Sequence, residues 1–187
     1  MGPIQLIENE LAALVIVDVQ VKMLTAIGSD NPERIVERIT KLIRAALLFD
    51  IPIIFTEQYP AGLGETDSRL KAVLPEGLNP LIKTTCSCWR DVAFKASLQE
   101  TGREHVIVAG LEMHVCIQQT VLDLMSVDFI PFVPIDACGS RYAEDANTAI
   151  ERMRAAGAEI TTVESLLFEL VARCDHPKFK EFLKIVK

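Results

Sequence analysis

Short apolar runs alternating with amphipathic stretches set the tightest limit on what this chain can fold into. Leu11 to Val17 reads LAALVIV and stops at Asp18; Ile53-Ile54-Phe55 and Val106 to Ala109 repeat the pattern. A strand with one wet face alternates apolar and polar residues, so a run that is apolar throughout indicates a strand covered on both sides. After Asn31-Pro32-Glu33, an asparagine cap with proline in the first turn, Ile35, Val36, Ile39, Leu42, Ile43, Ala46 and Leu47 recur at helical spacing. Strands that alternate with helices in this way form a parallel sheet with a helical layer on each face. The expectation is one doubly wound α/β domain spanning residues 1–187.

The remaining segments fit that plan. Pro52 belongs at the start of the second strand, since inside a central strand it would remove a ladder donor. Glu57 to Thr66 reads as a loop, Leu81-Ile82 as a short apolar pair before Lys83, and Asp91 to Gln99 as a modest helix. Phe129 to Ile135 is a strand candidate whose Pro131 and Pro134 argue against regular pairing. A helix from about Ala143 to Ala156 should stop at Gly157, followed by a strand over Ala158 to Thr161. Thr161 and Glu164 have capping-box spacing ahead of the next helix. From Pro177 to Lys187 a last helix carries Phe179, Phe182, Leu183 and Val186 on one face, to cover the sheet or to meet a second subunit.

Several function classes are disfavoured. The net charge is −7, and the basic residues are scattered among carboxylates, which gives no basic face for nucleic acid. No apolar run approaches the roughly 20 residues of a membrane span. The first ten residues, MGPIQLIENE, lack a basic region followed by an apolar one, and position 6 is Leu rather than the Ser or Thr of a myristoylation signal. Five cysteines at irregular spacing make a poor disulfide framework and point to a reduced, cytoplasmic setting.

The chemistry gathers at strand ends. Asp18 follows the first run, Lys83 the third and Cys116 the fourth, and in a parallel sheet these ends share one edge, where ligands bind. Gly110 interrupts the Val106 run. Cys116 then lies where a helix begins, near unpaired N–H groups that favour thiolate. A carboxylate can take the thiol proton, an ammonium can support the thiolate, and backbone N–H groups can hold an oxyanion.

Three segments carry a family resemblance: ALVIVDVQ, IKTTCS and VAGLEMHVCIQQTVLDL. They resemble the signature segments of the isochorismatase-like cysteine hydrolases, over about Ala12 to Val171. FTEQYPAGLG, LIKT and PIDACGSR are similar to the isochorismatase domain-containing protein subgroup. The resemblance implies a Rossmann-like three-layer α/β/α fold, with a mainly parallel sheet taken here as six-stranded. It implies a catalytic Asp18–Lys83–Cys116 triad and an oxyanion hole from the backbone N–H groups of Glu112 and Cys116. It also implies a non-proline cis peptide before Glu112 and a homo-oligomer, dimer or higher.

The chain departs from the pattern of the family's nicotinamidases, which bind a metal through an Asp-x-His…His arrangement after the second strand. Residues 57–67 contain no histidine; the only ones are His105, His114 and His176. Cys86 and Cys88 lack the second ligand pair of a closed zinc site. Neither metal nor cofactor is therefore expected. Gln20, Gln58, Tyr59, Trp89 and His114 are the candidate substrate-binding residues. The expected function is metal-independent hydrolysis of a small amide, imide or related carbonyl substrate through a thioacyl-enzyme. The rival is an interaction protein that keeps the fold with an idle site.

Overall fold

Ala12–Val17 forms β1, and all six of its residues are buried. Ala12, Leu14 and Ile16 enter the core on one face of the sheet, while Ala13, Val15 and Val17 enter the core on the other. That is why the run is apolar without alternation. The structure, a computed structural model, describes residues 6–27 and 31–187. Residues 1–5, which open the stretch read for targeting signals, lie outside the described residues.

After β1 come α1 (Val21–Ala26), α2 (Pro32–Leu48), β2 (Ile53–Gln58), α3 (Pro60–Leu63), α4 (Ser68–Lys71) and β3 (Leu81–Lys83). The second half contains α5 (Val92–Glu100), β4 (His105–Leu111), α6 (Gln118–Met125), β5 (Ile130–Pro134) and β6 (Cys138–Gly139). It ends with α7 (Ala143–Ala156), β7 (Glu159–Thr161), α8 (Val163–Val171) and α9 (Phe179–Val186). Every strand pairing is parallel, in the order β3-β2-β1-β4-β5-β7, with β6 beside the end of β4. Among the described residues the sheet therefore has seven strands rather than six. The extra one is two residues long and pairs Cys138 with Gly110 and Gly139 with Leu111, too short to leave a sequence signal.

Helices α2, α8 and α9 pack on one face, and α5, α6 and α7 on the other. Asn31 caps α2 by accepting from the N–H groups of Glu33 and Arg34. The capping box expected at Thr161 and Glu164 is displaced by one residue: Thr162 is the cap and accepts from Ser165 N–H. Asp136, in the turn that follows β5, accepts from Val163 N–H at 2.8 Å, so the first turn of α8 already has a carboxylate. The final helix covers the core. Phe182 is fully buried between Phe49, Phe168 and Phe179. Pro131 and Pro134 do not keep β5 out of regular pairing, because β5 lies in register with both β4 and β7.

The strand order places β1 beside β4 at the point where the chain reverses its direction across the sheet, and Val17 lies opposite Gly110. Gly110 does not interrupt β4, which runs on to Leu111. Glycine is required there by contact: a Cβ would stand 2.1 Å from the Val17 carbonyl oxygen, and φ is +135°. The two central strands thus close on each other immediately before the segments that bear Asp18 and Cys116.

Candidate active site

Three strands end in the same unusual way. Asp18 after β1, Tyr59 after β2 and Glu112 after β4 have φ of 51°, 39° and 56°. Left-handed backbone in a non-glycine residue costs of order 1–3 kcal/mol and collects where a site needs a sharp turn. All three positions lie on the carboxyl edge, where the α/β architecture binds ligands. The cis peptide expected before Glu112 is absent, since every described peptide bond is trans. The left-handed Glu112 redirects the chain instead. Met113–Ile117 then forms one wide π-helical turn that leads into α6 and carries Cys116.

The edge brings Asp18, Lys83 and Cys116 together. Lys83, the last residue of β3, crosses the end of β2 to reach the site. Its Nζ lies 2.6 Å from Asp18 Oδ2, and both side chains are fully buried. The same Nζ donates to Gln58 Oε1 at 2.7 Å and to the Thr85 carbonyl at 3.1 Å. It lies 3.4 Å from the Cys86 carbonyl and 3.7 Å from Cys116 Sγ. Burial on its own would lower the Lys83 pKa; the charge of Asp18, with smaller effects from Cys88 and Cys116, outweighs it and raises the value. Lys83 is therefore a fixed cation.

Cys116 corrects the expectation of a resting thiolate. Burial pushes its pKa well up, and the neighbouring Asp18 carboxylate, also an acceptor for the thiol, adds to the rise. The Lys83 charge acts in the opposite direction and does not win. The turn geometry at Cys116 is thus outweighed by desolvation, which disfavours any charged form in a dry site. The resting sulfur keeps its proton beside a carboxylate placed to take it.

A buried hydroxyl network holds these groups. Thr56 donates to Asp18 Oδ1 at 2.7 Å, while Asp18 N–H donates to the Thr56 carbonyl at 3.2 Å. Thr120 donates to the Cys116 carbonyl at 2.7 Å and accepts from Cys88 N–H at 2.9 Å. Cys88 is a second buried thiol, its pKa pushed up to about 11 by burial. Neither threonine was identifiable in the sequence, where each reads as an ordinary strand or helix residue.

Of the candidate binding residues, Gln20 and Gln58 serve the protein itself. Gln20 is completely buried; it accepts from Gln58 N–H at 2.8 Å and donates to the carbonyls of Gln58 and Gly64 at 3.1 and 2.5 Å. Gln58 donates to the Thr84 carbonyl at 3.1 Å while accepting from Lys83. Trp89 is packed edge-on against Phe129 at 5.3 Å, with Lys95 over its ring. It belongs to the helical layer. Tyr59 is 59% exposed on the edge, where its ring lies over Gly62. His114 is engaged by other side chains: Nδ1 is 3.0 Å from Ser140 Oγ, and Nε2 faces Glu112, Arg141 and Asp145. Arg141 grips Glu112 through Nε at 3.1 Å and Nη2 at 3.2 Å. Sequence reasoning missed this pair, although Arg141 closes the PIDACGSR segment.

The Isochorismatase domain matches residues 12–165. The chain belongs to the isochorismatase family. Isochorismatase domain-containing protein 2 of Pongo abelii is 40% identical over 156 residues, covering 82% of this chain and 73% of the relative. Among solved structures, MAR1 ribonuclease from Caenorhabditis elegans is 37% identical with a TM-score of 0.90, covering 97% of this chain and 92% of that one. YcaC from Pseudomonas aeruginosa with hexane-2,5-diol and covalent acrylamide is 26% identical with a TM-score of 0.90, covering 99% and 93%. The fold is that of the family's hydrolases.

The metal-binding arrangement of the family's nicotinamidases does not fit these residues. Glu57, at the end of β2, is buried and accepts from Thr66 N–H at 2.6 Å and Thr66 Oγ1 at 2.8 Å. Among the described residues, no three His, Cys, Asp or Glu side chains gather closely enough to hold a metal ion.

Proposed function

We propose that this chain is a cysteine hydrolase that cleaves a small amide, imide or related carbonyl compound through a thioacyl-enzyme, using its own residues and no metal. The reading rests on one observation: the buried Cys116 sulfur lies 3.7 Å from the Nζ of a fully buried carboxylate–ammonium pair whose N–O distance is 2.6 Å. Asp18 accepts the thiol proton as Sγ bonds to the carbonyl carbon. The backbone N–H groups of Glu112 and Cys116 receive the oxyanion, with Glu112 held by Arg141. Collapse of the adduct expels the amine, which takes the proton back from Asp18. A water then attacks the thioester, Asp18 accepting its proton, and Cys116 leaves as the thiol. Lys83 keeps Asp18 and the sulfur in place and offsets the negative charge throughout. The relative with covalent acrylamide supports a nucleophile in this fold. Homo-oligomerisation, dimer or higher, is part of the reading; Leu47 and Phe168 supply exposed apolar surface for it.

The ribonuclease name of the C. elegans relative raises a second reading, cleavage of RNA. A net charge of −7 opposes it, because a polyphosphate substrate needs clustered cations. One experiment separates these readings from an idle scaffold. The protein is incubated with a panel of small amides and with RNA, while peptide mass is followed at Cys116. The expected result is an acyl adduct on Cys116 with one or more amides, and a fall in turnover of roughly 1,000-fold or more in Cys116→Ser. Full turnover by Cys116→Ser on an identified amide would sink the nucleophile reading. RNA cleavage that survives this substitution, with no amide adduct, would favour the second.

A further inference from the structure

We propose that the site selects uncharged substrates, because Lys83 and Arg141, the cations at the reactive turn, are already paired with carboxylates of the protein and the buried cluster is electrically neutral. The inference rests on the cysteine-hydrolase reading and narrows its substrate class.

Lys83 has three N–H donors. Asp18, Gln58 and the Thr85 carbonyl take them at 2.6, 2.7 and 3.1 Å, and the side chain is fully buried. Arg141, beside the turn that carries Cys116, places two nitrogens on Glu112. Lys22, on α1, is exposed and donates to the Gly62 carbonyl at 2.7 Å. Further along the connection from β2 to β3, Arg69 pairs with Asp67, and Lys71 with Glu65. A carboxylate or phosphate at the buried cluster would have to break an existing ion pair to gain Lys83 or Arg141, and Lys22 offers its charge only in solvent.

Charge conservation gives the second argument. Before attack the cluster holds one ammonium, one carboxylate and one neutral thiol. After attack on an uncharged carbonyl it holds the same ammonium, a protonated Asp18 and one oxyanion. The sum is zero in both states, so chemistry adds no net charge to a region that water does not screen. An anionic substrate would add a negative charge to both states, beside a carboxylate that Lys83 already neutralises. Burying an unpaired charge is among the costliest changes a protein interior can face. The direction of the Cys116 shift agrees: burial and Asp18 outweigh Lys83, so the field at the sulfur resists negative charge.

Iodoacetamide and iodoacetate test this, being close in shape and different in charge. With either reagent the Sγ–carbon bond forms, the carbon–iodine bond breaks, iodide leaves with the electron pair and the thiol proton passes to Asp18. Alkylation rates are read cysteine by cysteine from peptide masses, with the exposed Cys174 as the comparator in the same chain. The iodoacetamide-to-iodoacetate ratio at Cys116 should exceed that at Cys174 by roughly 100-fold, the scale of one uncompensated charge in a poorly screened site. Asp18→Asn leaves Lys83 uncompensated, so the ratio at Cys116 should fall to that of Cys174 or below it. Equal ratios at the two cysteines in the wild-type protein overturn the charge inference and leave the nucleophile standing. A high ratio that persists unchanged in Asp18→Asn also overturns it, since shape rather than charge would then be selecting. No labelling of Cys116 by either reagent, with Cys174 fully labelled, overturns the nucleophile reading and this inference with it.

Discussion

Replacing Lys83 with methionine keeps most of the buried stem and removes the charge together with the N–H donors to Asp18, Gln58 and Thr85. Asp18 is then left fully buried with the Thr56 hydroxyl and the Cys116 thiol as its remaining side-chain hydrogen-bond donors. Breaking a buried ion pair from one side typically costs about 3–5 kcal/mol, because the surviving charge stays desolvated. For a domain of this size each kcal/mol lowers Tm by roughly 2–4 °C, so Lys83→Met should melt roughly 10 °C below wild type. The double variant Lys83→Met/Asp18→Asn removes the orphaned charge, and asparagine tolerates the left-handed backbone that Asp18 adopts. It should recover at least half of the loss. The pH dependence has a definite sign. The Lys83 pKa is raised above that of the unfolded chain, since Asp18 and the two thiols outweigh burial. Its contribution is therefore complete below about pH 10 and is lost only as pH rises through the folded value. The gap between Lys83→Met and wild type should be constant from about pH 6 to 9 and narrow in stronger alkali. Thermal unfolding followed by circular dichroism measures all three. A single variant within about 2 °C of wild type, with a double variant no more stable than the single, would refute the buried-pair account.

Two further perturbations probe the frame around the cluster. Gly110→Ala places a Cβ 2.1 Å from the Val17 carbonyl oxygen at a φ of +135°, so soluble yield should collapse or Tm should fall by roughly 10 °C or more. A soluble Gly110→Ala protein that melts like wild type would contradict the close approach of β1 and β4. Gln58→Leu deprives Lys83 of its acceptor at 2.7 Å, and kcat on an identified amide should drop roughly tenfold with KM little changed. A raised KM at constant kcat would instead return Gln58 to the substrate.

The central strands were legible because burial on both faces leaves no polar residue in β1 and none in β4 beyond its first residue, His105. Asp18, Lys83 and Cys116 could be placed on one edge because parallel strands share an end, but their separations depended on the reach of the Lys83 stem across β2. The roles of Gln20 and Gln58 were not legible. A buried amide that satisfies backbone carbonyls has the same letters as one that awaits a ligand. The setting of Trp89 was not legible either, since an indole beside a cysteine segment gives no hint that it packs edge-on against Phe129 with Lys95 over its ring. The thiolate expectation counted the turn and omitted desolvation, which a sequence does not display. The trans peptide before Glu112 shows that a sharp redirection can be achieved at φ rather than at ω, at comparable cost.

Strand β3 is three residues long and pairs with β2 alone, so it is an outer edge of the sheet, with Ile82 51% exposed on it. An outer strand is a template on which another chain can add, and short length is one protection against this. Here the last residue of the strand is also anchored at the centre of the molecule, through the contact between Lys83 and Asp18. The ion pair in the reactive cluster thus acts as a rivet for the sheet margin. Variants that lose it expose that margin to intermolecular pairing, and their inactivity in an assay will mix a missing charge with a self-associating chain. Light scattering belongs beside every rate measured on them.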